Sequence, residues 1–380
     1  MQIGFDAKRL FHNSTGLGNY SRSIVAGLAR WYPGADYSLY TPRVRETPTT
    51  RPFLHHPHLR AAAPNGGLKA LWRTYGMTKD LARDGIDLYH GLSHELPLGL
   101  RKHGIKSVVT IHDLIYRVYP ETYHWADRRI YDWKFRSACE RADRIVAISE
   151  STKRDVVRYF GTDPTRIEVI YQPCAPIFYE PVPADEDARW ARARVRWGVG
   201  EEFVLSVGSI VERKNLLTVV EAYGRLEPAK RVPLVVVGRG RGPYRRRVAA
   251  RVRELGLEKW MIWIEDLEED ADLAMLYRRA LAVVYPSSYE GFGLPVAEAL
   301  LCETAVITSN VSSLPEAGGP GAVYVEPGDV EGRAAAIGRV LGSSELRTRL
   351  GEVGREYARE TFDPRLLTDR LWNLYVALFT

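Results

Sequence analysis

Along the whole chain, short runs rich in Val, Ile and Tyr alternate with longer stretches in which apolar positions recur every three or four residues. Compact apolar runs bounded by Gly, Pro or Asp predict strands, and the longer periodic stretches predict helices. In the first half the pattern predicts strands at 3–8, 37–40, 87–90, 107–112, 144–149 and 168–171, with helices at 18–30, 68–83 and 125–141. The second half repeats the rhythm, with strands at 203–208, 233–238, 261–265, 282–286, 305–308 and 323–325 and helices at 216–226, 270–279 and 295–301. Strand and helix in alternation build parallel sheets covered on both faces, so the fold class is α/β. A chain of 380 residues is long enough for two such domains.

Residues 173–187, PCAPIFYEPVPADED, carry four prolines and no period, as expected of a linker. Residues 364–380 predict a final amphipathic helix carrying Leu366, Leu367, Leu371, Leu374, Val376 and Leu378.

Composition narrows the function classes. Hydrophobic residues at 45% and charged residues at 26% are ordinary for a soluble globular protein. The formal net charge of +6 suits an anionic ligand or membrane surface. No nucleic-acid-binding module accompanies that charge, so no nucleic-acid partner is expected. Cys139, Cys174 and Cys302 lie far apart without CxxC spacing. That argues against a disulfide framework or a zinc site and for a reducing compartment. The opening MQIGFDAKRL reads as a first strand rather than a signal peptide, and no run of about eighteen apolar residues occurs. The expected location is cytoplasmic, with any membrane contact peripheral.

Ligands of open α/β sheets bind beyond the carboxyl ends of the strands. Four motifs fall there. In YPSSYEGFGLPVAEA, residues 285–299, a strand gives way to a glycine-bearing loop and then to a helix with proline in its first turn. Glu290 lies in the loop and Glu298 one turn inside the helix. Gly291 and Gly293 let backbone amides approach a ligand, and carboxylates accept protons from vicinal hydroxyls. Taken alone, Glu298 also fits a helix-start carboxylate favoured by the dipole.

In VGSIVERKNLLTVVEAY, residues 207–223, Arg213 and Lys214 stand just before a helix whose N-cap is expected to be Asn215. Two cations beside free amides suit a diphosphate, although a solvated basic turn would read the same. In STGLGNYSRS, Gly16 and Gly18 nearly spell a dinucleotide fingerprint, but they come several residues after the strand. No acidic residue closes the next strand either, so a dinucleotide is not expected. A plain helix-entry loop is the alternative. In VVTIHDLIYRVYP, a strand delivers His112 and Asp113 to its carboxyl end, where an imidazole titrating near neutrality would meet a substrate hydroxyl. A structural histidine is the alternative. His90, Ser93 and His94 are weaker candidates.

The string EGFGLPVAE resembles the E-x7-E motif of the retaining glycosyltransferases of family 4, which have the GT-B fold. The VG-x-x-x-x-RKN string is similar to a second motif of that family. The resemblance implies two Rossmann-like domains facing across a cleft. An acceptor domain would cover about 1–175, a nucleotide-sugar donor domain 178–360, and a final helix 364–380 would cross back to the first domain. It also implies roles. Glu290 would meet the donor sugar, with the backbone of Gly291, Phe292, Gly293 and Leu294 on its hydroxyls, and Glu298 would hold the ribose. Arg213 and Lys214 would neutralise the pyrophosphate, and Gly16 and Gly18 would lie over the donor phosphates. His112 would sit near the reacting sugar, Gly238 would face the nucleotide, and Asp266 with Leu267 would flank the base. Some members carry an arginine where this chain has Ser209, which puts more weight on Arg213 and Lys214.

The implied reaction is metal-independent transfer of a hexose, with retention, from a nucleoside diphosphate sugar to a saccharide or lipid-linked acceptor. GDP-mannose is the expected donor and a UDP-hexose the next choice, with no other cofactor. A sucrose- or trehalose-type synthase, a sugar-nucleotide epimerase and a non-catalytic homologue are the rivals. The segment RRIYDWKFR, residues 128–136, mixes aromatic and basic residues and reads either as core with snorkelling charge or as a membrane-facing surface.

Overall fold

The computed structural model describes residues 1–64, 71–267 and 269–380. They form two compact units, Met1–Cys174 with Phe362–Thr380, and Ala175–Thr361. Among the described residues, all strand pairs in both units are parallel. The first sheet contains β1 (Gln2–Asp6), β2 (Asp36–Tyr40), β3 (Leu59–Ala62), β4 (Leu88–Gly91), β5 (Lys106–Ile111), β6 (Arg144–Ala147) and β7 (Ile167–Val169). Its order is β3-β2-β1-β4-β5-β6-β7. The second contains β8 (Val204–Val207), β9 (Leu234–Val237), β10 (Met261–Ile264), β11 (Ala282–Tyr285), β12 (Val306–Ser309) and β13 (Ala322–Val325), in the order β10-β9-β8-β11-β12-β13. In each sheet the strand order reverses once, between β1 and β4 and between β8 and β11. Such switch points open a crevice at the carboxyl edge of a doubly wound sheet.

The central strands are buried on both faces, which is why their sequences are continuous Val, Ile and Leu rather than alternating. Val204, Val236, Val284 and Ile307 share one core with Val219, Val220 and Tyr223 of helix Leu216–Arg225.

Three expectations change. Strand β3 was not expected: LRAA lacks β-branched residues and is held by its pairing with β2 rather than by propensity. The stretch at 173–187 is not an unstructured linker. Pro176–Phe178 form a 3-10 turn that buries Phe178 against Tyr277, and Glu186 opens helix Glu186–Trp197. Proline starts that turn without losing a hydrogen bond, so its presence marked a packed turn. Of the helix expected at 68–83, residues 68–70 lie outside the described residues. The remainder is a π-helical turn, Trp72–Gly76, continuing into Met77–Arg83.

Helix Pro364–Val376 ends four residues before the expected end and packs on helix Gly16–Trp31 of the first unit. Trp372 stacks on Tyr32 with centroids 4.3 Å apart, and Tyr32 donates to Asp369 at 2.6 Å. A Cβ on Gly27 would come within 2.6 Å of Thr368 Oγ1, so a glycine is needed for this contact.

Candidate functional site

In the second unit, the two strongest motifs leave β8 and β11, the strands flanking the switch point, and their loops are stitched together. The amide of Ser288 donates to the carbonyl of Arg213 at 2.8 Å, and Ser287 Oγ lies 3.1 Å from the same carbonyl. The chain passes Gly208, whose φ of 141° a side chain rarely adopts, and turns through a 3-10 segment Glu212–Lys214. Arg213 and Lys214 are thereby brought over β11.

Both cations converge on one oxygen. Lys214 Nζ lies 2.6 Å and an Arg213 guanidinium nitrogen 2.7 Å from Glu290 Oε1. Ser287 donates to that oxygen at 2.6 Å and Tyr285 at 3.0 Å. Lys214 also donates to the Tyr285 hydroxyl and lies 4.8 Å from the centre of its ring. Burial pushes the Glu290 carboxyl up, but Lys214 and Arg213 outweigh it, and the carboxyl is held below its ordinary range. Glu290 is therefore an anion at neutral pH, buried and compensated.

The glycine loop is held from behind. Glu290 N donates to Ser312 Oγ at 3.0 Å, and Ser313 Oγ donates to the carbonyls of Glu290 and Phe292 at 2.9 and 2.7 Å. Gly293, with φ 114°, caps the helix that starts at Leu294, one residue earlier than expected. Phe292 is buried. Glu298 lies on that helix, half-buried, and accepts from Tyr277 at 3.0 Å. Burial lifts its carboxyl to about 7 despite that hydrogen bond. Glu290 and Glu298 are thus two carboxyls set to opposite protonation tendencies by their surroundings.

Asn215 caps helix Leu216–Arg225 by position but not by its side chain. With φ 56° it aims its amide away from the helix, donating to the carbonyls of Pro286 at 3.3 Å and Pro327 at 2.7 Å. Gly238 is pinned by backbone: a Cβ there would lie 2.0 Å from the Gly208 carbonyl oxygen. Ser209 is exposed beside them. Asp266 pairs with Arg196 at the surface, and Leu267 follows it, half-buried.

In the first unit, Gly16 and Gly18 do not form a loop. They are the first turn of helix Gly16–Trp31, and a Cβ on Gly18 would lie 1.8 Å from the Asn13 carbonyl oxygen. Asn13 Oδ1 accepts from Thr15 N at 2.8 Å and Gly18 N at 3.1 Å, so it satisfies helix-start amides.

His112 is placed at the end of β5 as expected, but its titration is not. Burial drives its pKa down to about 4, so the ring is neutral at physiological pH. Its Nε2 lies 2.9 Å from the Leu92 carbonyl, which accepts from an Nε2–H and fixes that tautomer. Tyr20 meets the ring edge-on at 4.6 Å. His90 is not a lining residue: it is fully buried between Tyr375 (2.6 Å) and Thr110 (2.8 Å). His94, at φ 62°, is buried and stacked on Phe135 at 4.2 Å. Ser93 is buried too, while Asp113 is half-buried and accepts from the Ile115 amide.

Sequence reading missed Tyr285, Ser287, Tyr277, Ser312 and Asn13. Tyr285 and Ser287 stood inside the quoted string and could have been found as polar groups within a turn of Glu290. Tyr277 sits on a separate helix, and no local signal marks it.

Against known proteins, residues 14–174 match the family model for Glycosyltransferase Family 4, and residues 189–357 match that for Glycosyl transferases group 1. The chain is 29% identical to O-antigen chain mannosyltransferase B of Escherichia coli, covering 100% of both chains. It is similar to the structure of sucrose-phosphate synthase from Thermosynechococcus elongatus, with a TM-score of 0.78 and 25% identity over 100% of this chain and 99% of that one. It shares its fold with Anabaena HepE, solved in complex with UDP, at a TM-score of 0.74 and 16% identity over 99% of each chain. With two glycosyltransferase models matching most of both parallel-sheet units, the chain belongs to the glycosyltransferases of GT-B fold, family 4 in its amino-terminal part and group 1 in its carboxy-terminal part.

Proposed function

We propose that the second unit binds a nucleoside diphosphate sugar and that the enzyme transfers its hexose, with retention and without a metal, to a saccharide or lipid-linked acceptor held by the first unit. The observation that carries this reading is the convergence of Arg213, Lys214 and Glu290 at the β8–β11 switch point. A departing nucleoside diphosphate gains negative charge as the bond from the anomeric carbon to phosphate oxygen breaks. Arg213 and Lys214 stabilise that charge, and their places are fixed beforehand by Glu290, Tyr285 and Tyr289. The acceptor hydroxyl attacks the anomeric carbon, and its proton passes to the leaving phosphate oxygen.

On this reading Glu290 accepts from a sugar hydroxyl once the diphosphate draws the cations away. Glu298 and Tyr277 hold the ribose diol, and the amides of Gly291 to Leu294 line the sugar. Gly238, Ser209 and Leu267 border the nucleotide, while Gly16 and Gly18 serve the donor phosphates and His112 the reacting sugar. A neutral His112 serves as a hydrogen-bonding partner rather than as a proton source. Mannose from GDP-mannose is the donor we favour, because the full-length relative is named a mannosyltransferase of O-antigen chains. A UDP-hexose is the alternative. The likeness to sucrose-phosphate synthase supports a second reading, in which the acceptor is a soluble sugar.

Incubation of purified enzyme with GDP-mannose or UDP-glucose, with and without lipid-linked or soluble acceptors, tests these readings. Transfer that requires a lipid-linked saccharide supports the first, and transfer to a free sugar phosphate the second. Conversion of the donor with no acceptor present would overturn both.

A further inference from the structure

Helix Trp125–Arg141 carries little of the core on its first three turns. Phe135, Ala138 and Cys139 are its buried residues, all in the second half. Trp125 is 65% exposed, Ile130 50% and Trp133 50%. Trp125, Arg129 and Trp133 follow at four-residue spacing and so share a face. Beside them lies an open surface cavity of about 480 Å³, lined by Arg117, Arg128, Arg129 and Arg136 with Asp132 as its one acid. Asp132 is already shared by Arg117 and Arg136. Among the described residues, Arg128 and Arg129 enter no ion pair.

We infer that this face docks on an anionic phospholipid membrane, with Trp125 and Trp133 in the headgroup region and Arg128 and Arg129 on lipid phosphates. Indoles with arginines at their level are the pairing that a bilayer interface favours, and each basic residue adds attraction to an anionic leaflet. A second copy of the chain is a poorer occupant. A two-fold contact would set each copy's arginines against the same arginines of the other, and charge is depleted from the centre of protein interfaces. Among the described residues no helix is long and apolar enough to cross a membrane, so the contact is with its surface. The helix begins after the loop leaving β5, so its exposed turns lie at the carboxyl edge of the first sheet, the edge that bears His112. Docking there presents that edge to a lipid-linked acceptor. This adds to the reading of the acceptor above, while its test measures vesicle binding and not transfer.

The test is flotation of the full chain with vesicles of phosphatidylcholine alone and of phosphatidylcholine with phosphatidylglycerol in equal parts. The expected result is binding to the anionic vesicles only, with a blue shift of tryptophan fluorescence. Arg128→Gln with Arg129→Gln is expected to lower partitioning roughly tenfold or more, as is Trp125→Ser with Trp133→Ser. Melting temperature and response to nucleotide should stay as in the wild type, since these residues are exposed. No binding to anionic vesicles, or equal binding by both variants, would overturn the inference. So would a concentration-dependent dimer that the variants abolish. Failure of the glycosyltransferase reading would appear separately, as loss of the nucleotide response in the wild type.

Discussion

At the scale of residues, the proposed function amounts to an exchange of partners around Glu290. Two cations and two hydroxyls satisfy a single carboxylate oxygen. On the proposed reading, a diphosphate competes with that carboxylate for Lys214 and Arg213. Two substitutions separate the roles. Lys214→Ala is expected to lower turnover by roughly a hundredfold to a thousandfold, the size of losing one preorganised donor to a developing anion. Glu290→Gln keeps the shape but removes the competing charge. It should leave nucleoside diphosphate affinity unchanged or tighter while transfer falls. Steady-state kinetics with calorimetric binding reads both, and parallel loss of binding and transfer in Glu290→Gln would contradict the exchange.

These residues were largely legible in sequence because each motif follows a strand and its spacing is local. Their protonation was not. His112 stood in the right place, but its shift comes from burial under Tyr20 and His94, residues on two other segments. Glu298 likewise owes its raised carboxyl to burial, against the opposing hydrogen bond from Tyr277 on a different helix.

At the scale of elements, two glycines hold the geometry of the β8 and β9 ends. Gly208 and Gly238 have φ of 141° and 152°, and their backbones touch. Gly238→Ala would set a methyl group 2.0 Å from the Gly208 carbonyl oxygen and force a left-handed conformation on alanine. The expected cost is about 2 kcal/mol or more, read as a lower melting temperature, with weaker nucleotide binding. A variant that melts and binds like the wild type would contradict the close approach. Local pattern fixed the strand and helix types well here, since fully buried parallel strands read as unbroken apolar runs. It missed β3, whose existence depends on a neighbour, and it took Asn215 for a side-chain cap because only tertiary structure reveals that its amide reaches Pro327. In the same way, four prolines read as a linker where Phe178 and Glu186 pack into the second unit.

At the scale of the whole molecule, buried groups in the two units respond to pH with opposite sign. In the first, His112 stays neutral down to about 4 and His90 to about 3, both driven down by burial. In the unfolded chain each takes up a proton below about 6.5. The unfolded state therefore binds more protons in that window, and the first unit loses stability as pH falls from 6.5 towards 4. In the second, Glu298 holds its proton up to about 7, whereas the unfolded residue releases it near 4.5. Its contribution is therefore lost as pH rises through that window, by roughly 3 kcal/mol at most. Calorimetric scans of ligand-free protein across pH check both. Glu298→Gln should flatten the loss on the alkaline side, and an unchanged profile would contradict the shifted carboxyl.

On the proposed reading, Arg213, Lys214 and Glu290 form the diphosphate-sugar site of this glycosyltransferase. The most direct test is titration calorimetry of GDP-mannose and UDP-glucose into the wild type, Lys214→Ala and Arg213→Ala. The predicted result is saturable binding of one of the two donors by the wild type, weakened in each variant while melting temperature holds. Wild-type affinity in both variants would contradict the account.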